Sequence, residues 1–324
     1  MHSPQTNAPP RIVGLRGKRR IAAEVIAMVY MAIIAEVAIA TGAFYILFPE
    51  LGALSHDIFT RPRGSWASAP VLLVITPVLT AVLGTLVTRN LPYGYLSVML
   101  IVCGALAIIL ALKSPIAPAI SAGLLPLALG VGSLWYPPGI VFGTALLAVL
   151  STVWRRVSDE PLQLKTAERE DEDVESGHES YWRLLPLLAL VLVAVSIVKL
   201  TNLRFVLFPP LVVIGFEMFV HTKHCPWATR TLSLPIVCML TAAGGLLCRR
   251  YLGVGAASSM SSMAIGILVL RIFDIHIPPA LAVALLPQVI DSPTVSYPVA
   301  VAIGTSLLSA SFVLYNHLLG ANQS

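Results

Sequence analysis

The sequence predicts an all-α polytopic membrane protein made of two tandem parallel repeats. Three observations favour this fold: the chain is strongly apolar, it resembles itself at one fixed offset, and each copy of the repeat contains a short segment broken by prolines. Of the 324 residues, 57% are hydrophobic and only 11% are charged, whereas about 25% are charged in typical soluble domains. This composition excludes an ordinary soluble protein.

The repeat becomes visible when the chain is aligned with itself at an offset of 161 residues, where Pro118 and Pro126 coincide with Pro279 and Pro287. Apolar composition alone produces scattered leucine and alanine matches, but it does not align prolines, glycines, arginines and a tyrosine. Further identical pairs are Thr80/Thr241, Gly84/Gly245, Arg89/Arg250, Gly94/Gly255, Tyr136/Tyr297, Gly143/Gly304 and Thr144/Thr305. We therefore predict two repeats of about four transmembrane helices each, at residues 21–156 and 183–319.

Apolar runs place the individual helices. In the first repeat we expect helices at about 21–47, 67–88, 95–112 and 139–154, and in the second at about 184–206, 231–248, 254–272 and 299–317. Each repeat also has a proline-broken segment before its last helix, at 114–130 and 275–291, and these are too short for straight helices of the ~20 apolar residues that a bilayer requires. The segments 49–66 and 209–230 contain charged residues and a tryptophan, so we expect them to be polar and to face the outside.

Charge at the start and middle of the chain predicts how it is oriented. Residues 1–20 are rich in proline and arginine, so we expect a disordered, basic N-terminus, and the apolar run that follows is longer than the ~7–15 residues of a secretory signal. Residues 157–182 are dominated by charged side chains and are predicted to be a solvated cytoplasmic linker. The positive-inside rule then places the N-terminus, Arg89, Arg155–Arg156 and Arg249–Arg250 on the cytoplasmic side of the plasma membrane.

Several functional classes lack the residues that they need. The sequence has no GxSxG or HExxH motif and no paired intramembrane aspartates, so we do not expect an enzyme. The four cysteines show no CxxC spacing. His221 and His224 are three positions apart, a spacing that fits a metal site or an ordinary interfacial helix, but no Asp or Glu completes a second cluster, so we predict neither a metal nor a cofactor. Basic residues are not interleaved with aromatics, which argues against nucleic acid. The predicted partners are the lipid bilayer and a small molecule or ion, while a homo-oligomer is left open.

Transport is the functional class that remains, because it requires only a pathway, a polar site and a segment of the protein that moves. Irregular backbone at membrane depth must be buried in protein or line water, and paired broken helices are typical of transporter binding sites. The alternative is that the prolines only kink helices. The predicted substrate pathway is formed by His276, Pro278, Pro279, Gln288, Pro118 and Pro126.

Charged residues near the pathway predict the sign of the solute. An outer vestibule is predicted from His221, Lys223, His224 and Arg230. Its basic character, together with the partial positive charge of helix N-termini, favours a small anion. Arg271 and Asp274 are three positions apart and are expected to neutralise each other beside the pathway.

Parts of the second repeat resemble the HPP family of integral membrane proteins, which have four helices per domain and are named for a His-Pro-Pro motif. The resemblance is carried by Phe208-Pro209-Pro210, Trp227 and Ile277-Pro278-Pro279-Ala280. It covers about residues 184–318 and, more weakly, 21–154. The motif histidine of the family aligns with Ile277, one residue after His276. Some members are linked to nitrite transport, so the resemblance implies a transporter or channel for a small inorganic anion such as nitrite. A non-transporting scaffold or sensor that acts through the acidic linker is the alternative from another class.

Overall fold

The computed structural model describes residues 15, 17–158, 181–222 and 225–321, and every regular element within these ranges is a helix. The predicted disordered N-terminus and charged linker lie almost entirely outside the described residues. So do Lys223 and His224 of the predicted vestibule.

Each half of the described chain contains long helices and short helices. The first half consists of α1 (Gly17–Thr41), α2 (Glu50–Thr60), α3 (Ser65–Ser68), α4 (Pro70–Asn90), α5 (Tyr95–Leu112), α6 (Ala119–Leu129) and α7 (Tyr136–Val157). The second half consists of α8 (Leu184–Thr201), α9 (Pro209–Val220), α10 (Leu234–Leu252), α11 (Ala256–Ile272), α12 (Pro279–Leu285) and α13 (Ser296–Ala321). Short 3₁₀ helices occur at Phe44–Ile46, Tyr181–Arg183, Arg204–Leu207, Ala228–Ser233 and Leu286–Gln288.

Seven helices of the described chain are long and apolar enough to cross a membrane, which confirms the predicted all-α, multi-helix membrane architecture at this level. They are Gly17–Thr41, Pro70–Asn90, Tyr95–Leu112, Tyr136–Val157, Leu184–Thr201, Ala228–Leu252 and Ser296–Leu318. Their outer surfaces carry exposed apolar side chains such as Val71, Leu96 and Val149, as lipid-facing surfaces require.

The short helices α2, α6, α9 and α12 form the centre of the bundle, and almost every side chain in them is buried. The expectation that 49–66 and 209–230 are polar outer segments is therefore wrong. Helix α9 is almost entirely apolar, and the polar residues of α2 are buried because most of them find partners inside the protein. Helices α6 and α12 lie within the two predicted proline-broken segments.

The bundle has two faces. We call one the proximal face, where Trp154 Nε1 donates to the Phe59 carbonyl, Arg155 donates to the Ala67 carbonyl and the Leu15 amide donates to Thr60. We call the other the distal face, where Arg89 donates to the Gly132 carbonyl. Both α1 and α4 begin at the proximal face, because the chain between them returns through the 3₁₀ helix Phe44–Ile46 and α2.

This extra return passage corrects the predicted placement of the arginines. Arg89 at the end of α4 and Arg249–Arg250 at the end of α10 lie at the distal face, opposite Arg20 and Arg155. The sequence predicts all of these on one side, because its apolar runs indicate no crossing between the first two long helices of each half.

Helices of the two halves pack against each other in two matched sets. Helix α1 packs against α11 and α5 against α8, while the short helices cross over so that α2 packs against α12 and α6 against α9. The approach of α2 to α12 depends on Gly52, where a Cβ atom would lie only 2.2 Å from Leu285 Cδ1. The most deeply buried surface of the molecule is thus shared between the halves.

Candidate functional site

Charged and histidine side chains gather where the two halves meet at the proximal face. This proximal charge cluster consists of Arg20, Glu24, His56, Asp57, Arg61, Arg271 and His276. Helix α1 supplies Arg20 and Glu24, and α2 with the residue that follows it supplies His56, Asp57 and Arg61. The last turn of α11 supplies Arg271, and the loop before α12 supplies His276. The cluster is therefore built from both halves of the chain.

Asp57 is the most deeply buried charge of the cluster, with a side chain only 1% exposed. Arg61, one helical turn later, donates to its two carboxylate oxygens at 3.0 and 3.1 Å. His276 Nε2 lies 3.0 Å from Oδ1 of the same carboxylate. A bidentate guanidinium and an imidazole together compensate for a carboxylate that would otherwise be very costly to bury.

Glu24 forms the second centre of the cluster. Arg20 Nε donates to its carboxylate at 3.2 Å from the same helix, and Arg271 forms an ion pair with it from α11. His56 Nε2 lies 4.0 Å away, and the rings of His56 and His276 are 6.2 Å apart between centroids. The two carboxylate centres thus lie side by side in the same cluster, with the two histidine rings next to each other.

The expected mutual neutralisation of Arg271 and Asp274 does not occur. Arg271 pairs with Glu24 instead, and the Asp274 side chain is almost fully exposed, 4.0 Å from the guanidinium of Arg230. Helix α11 ends at Ile272, and Asp274 adopts a left-handed backbone conformation with φ of 47°. Because the chain turns away after the helix, the two side chains no longer share a helical face.

The predicted pathway residues lie at several depths along the short helices. Pro278 precedes α12 and Pro279 opens it, and Pro118 precedes α6 in the same way; all three are buried. His276 belongs to the proximal charge cluster. Gln288 lies at the other end of the α12 segment, so the structure does not bring His276 and Gln288 together.

Gln288 forms a smaller polar centre with serines of α11. Its Nε2 donates to Ser258 Oγ at 2.8 Å and to Ser262 Oγ at 3.3 Å, while its Oε1 has no hydrogen-bonding partner. Gln288 is buried, so this free acceptor is available to a solute donor or to water.

The predicted vestibule residues in the described chain lie at the proximal face. His221 Nδ1 is 2.8 Å from Glu217 Oε2, and Arg230 donates to the carbonyls of Phe273 and Asp274. Both therefore lie on the same side as Arg155, whereas the sequence predicts an outer vestibule opposite it. Among the described residues, no group of three or more His, Cys, Asp and Glu side chains could hold a metal ion.

A small apolar cavity of about 50 Å³ lies toward the distal face. It has room for about one water molecule. The lining residues are Phe44, Tyr45, Leu47, Leu125, Pro126, Leu129, Val131, Tyr136 and Val289. Pro126 is the predicted pathway residue that reaches it, and the cavity thus touches the distal ends of both proline-broken segments.

Sequence reasoning missed Glu24, Asp57 and Glu50. The spacing of Asp57 and Arg61, one helical turn apart, was the available signal for a paired carboxylate in a helix. Glu50 carries no comparable signal in the sequence. It opens α2 immediately after Pro49, yet it is only 1% exposed.

No protein-family model, curated protein or solved structure matches this chain. The resemblance to the HPP family stays a prediction.

Proposed function

We propose that this protein is a plasma-membrane transporter or channel for a small solute, with an inorganic anion such as nitrite as the first substrate to test. The observation that carries the proposal is the buried centre of the bundle. Four short helices, separated by irregular backbone and shared between the halves, fill the place that straight spanning helices occupy in a simple bundle. Such an arrangement is typical of transporter binding sites.

Matched contacts support a tandem duplication. Tyr136 donates its hydroxyl to the Ala122 carbonyl at 2.8 Å, and Tyr297 donates to the Val283 carbonyl at 2.6 Å. Both members of the second pair lie 161 positions after those of the first. Identical buried hydrogen bonds at one offset are expected if the halves descend from the same unit.

Close backbone approaches at the same offset support it further. A Cβ atom on Gly84 would lie 1.9 Å from the Gly123 carbonyl oxygen, and one on Gly245 would lie 1.8 Å from that of Ala284. Both halves also begin and end at the proximal face, which favours parallel repeats related by an axis along the membrane normal.

The proximal charge cluster is well placed to act as a gate. Its Glu24–Arg271 ion pair and its Asp57–His276 contact join the first half to the second at the proximal face. A carrier that exposes its site alternately to each side must separate such contacts in one of its states. We expect the proximal entrance to be closed in this conformation.

The excess of basic residues at the proximal face favours an anion as the solute and a cytoplasmic location for this face. The cluster combines three guanidinium groups with two carboxylates, and Arg155 and Arg156 lie nearby at the end of α7. An excess of positive charge at an entrance raises the local concentration of anions. Basic residues at this face also favour a cytoplasmic location for it by the positive-inside rule.

Nitrite uptake by liposomes that contain the purified protein tests the proposal. We expect wild-type protein to raise the initial uptake rate well above that of empty liposomes and His276→Ala to lower it at least tenfold. His317→Ala is the matched control, because His317 is exposed on α13 away from the cluster. Uptake equal to that of empty liposomes, or equal in the two histidine variants, would remove the proposed role.

A further inference from the structure

Glu50 is the one carboxylate in the buried centre of the described chain that has no ionic partner. It is 1% exposed, and no hydrogen bond of good geometry reaches either of its oxygens. Ser121 of α6 lies beside it, and the Ser121 hydroxyl is also fully buried without a hydrogen-bonding partner of its own. Two unsatisfied polar groups therefore face each other between α2 and α6.

Among the described residues, none of those around Glu50 is a cation that could balance an ionised carboxylate. Tyr136 of α7 is close enough to interact with it, but its hydroxyl already donates to the Ala122 carbonyl. From α1, Tyr30 donates to the Gly143 carbonyl and Glu24 belongs to the proximal charge cluster. His56, Asp57 and Arg61 occupy the opposite end of α2, while α3, α6 and α12 carry no titratable side chain.

The second half does not repeat this polar pair. Leu47-Phe48-Pro49-Glu50 before and at the start of α2 matches Leu207-Phe208-Pro209-Pro210 at the start of α9, so Pro210 corresponds to Glu50. Ala282 corresponds to Ser121 at the offset of 161 residues. The unit can therefore pack without either polar group. A carboxyl group that packing does not require, at a place where an ion is expensive, points to a functional role.

Physical chemistry assigns the protonation state of Glu50 in this conformation. Burying an unpaired ionised carboxylate is so costly that the group takes up a proton instead. The apolar cavity lies next to this site, because Leu47 and Tyr136 line it and Leu47 is three residues before Glu50. Water entering from the distal face would therefore reach the Glu50 carboxyl group before it reached the proximal charge cluster.

We propose that Glu50, together with Ser121, is a proton-binding site that couples solute movement to proton movement. This inference rests on the proposed transport function. Glu50 takes a proton from water on one side of the membrane and stays a neutral acid while the protein is in the closed conformation. It returns the proton to water when the opposite side of the site becomes hydrated. One anion moved with one proton carries no net charge across the membrane.

Proteoliposomes with an imposed pH gradient test the coupling. We expect acid on the side of nitrite addition to accelerate wild-type uptake several-fold beyond the acceleration in empty liposomes, which accounts for passive entry of the protonated solute. Glu50→Gln should lose this protein-dependent acceleration. Glu36→Gln should keep it, because Glu36 is exposed at the distal end of α1 and bonds the amide of Ala256. Equal acceleration in Glu50→Gln and wild type would overturn the coupling while leaving transport in place.

A second measurement does not depend on transport or on how well the variant folds. Dicyclohexylcarbodiimide reacts with protonated carboxyl groups in apolar surroundings, and mass spectrometry of the labelled wild-type protein locates the product. We expect label on Glu50 and none on Glu36. Label on Glu50 without any flux would remove the proposed function but retain the proton site, whereas an unlabelled Glu50 would overturn the proton site.

Discussion

His276 Nε2 lies 3.0 Å from Asp57 Oδ1, although the two residues are 219 positions apart in the chain. The contact joins the loop before α12 to the last turn of α2, and together with the Glu24–Arg271 ion pair it links the halves at the proximal face. A proline-broken segment of one half is thereby held by a buried carboxylate of the other. The gate that we propose depends on this link.

The first prediction concerns the buried carboxylate of this link. Asp57→Asn should lower the free energy of unfolding by about 3 kcal/mol, because it removes the buried negative charge that Arg61 and His276 share. Glu217→Gln is the matched control, since Glu217 also pairs with a residue one turn later but is more exposed. It should cost less than about 1 kcal/mol. Thermal unfolding in detergent compares the two, and equal losses would argue against a special role for Asp57.

The second prediction tests whether Glu24 and Arg271 couple the halves energetically. In a double-mutant cycle, Glu24→Gln and Arg271→Gln should show an interaction free energy of about 1 kcal/mol or more, because each removes the other's partner. Pairing Glu24→Gln with Arg89→Gln provides the comparison, since Arg89 lies at the distal face. That second cycle should be additive within about 0.5 kcal/mol. Two additive cycles would mean that the ion pair does not hold the halves together.

The third prediction concerns the equivalent tyrosines. Tyr136→Phe and Tyr297→Phe should each lower the free energy of unfolding by about 1 kcal/mol, because each leaves one buried carbonyl without its donor. Tyr251→Phe should have little effect, since Tyr251 is 78% exposed. Guanidinium or thermal unfolding in detergent measures all three. Clearly different losses at Tyr136 and Tyr297 would weaken the structural equivalence of the halves.

The fourth prediction concerns the closest approaches between helices. Gly84→Ala and Gly245→Ala should each destabilise the protein by about 1–3 kcal/mol, since the added methyl group would collide with a backbone oxygen on α6 or α12. Gly94→Ala is the control, because its nearest neighbour outside the adjoining chain is Lys199 Nζ at 3.9 Å. Surface changes of that kind stay within about 0.5 kcal/mol. Folding yield and thermal stability in detergent measure the difference, and three equal values would contradict the close packing.

The fifth prediction tests the two faces. In a background that lacks the exposed thiol of Cys103, cysteines introduced at Ser68 and Arg156 should react with an impermeant reagent from one side of the membrane, and a cysteine at Asn90 from the other. Ser68 and Arg156 lie at the proximal face, and Asn90 ends α4 at the distal face. Labelling of Asn90 and Arg156 from the same side would restore the sequence-based topology and contradict the return passage through α2.

The long helices could be predicted from sequence because each is an apolar run with clear limits. Helix α5 begins and ends at Tyr95 and Leu112, as predicted, since Gly94 precedes it and Lys113 follows it. Helix α1 ends at Thr41 instead of about residue 47, because Gly42 adopts a positive φ and a 3₁₀ helix follows. Hydropathy alone does not distinguish a continuing α-helix from a change of direction within an apolar run.

The short helix α2 and most of the candidate site could not be predicted. Asp57 and His56 made the segment look solvent-exposed, because the partner His276 is more than 200 positions away in the chain. The prolines that precede α6 and α12 did indicate where the chain becomes irregular, and they led to His276. Glu50 gave no such signal, since the absence of a partner becomes apparent only once the helices around it are in place.

Counterflow of labelled nitrite tests the central claim most directly, because it requires a protein-bound solute to cross between the two sides of the membrane. Liposomes that contain the protein are loaded with unlabelled nitrite and diluted into a trace of labelled nitrite. We predict a transient accumulation of label inside, beyond its equilibrium level, which His276→Ala reduces and His317→Ala does not. Label that never rises above the level in protein-free liposomes would contradict transport by this protein.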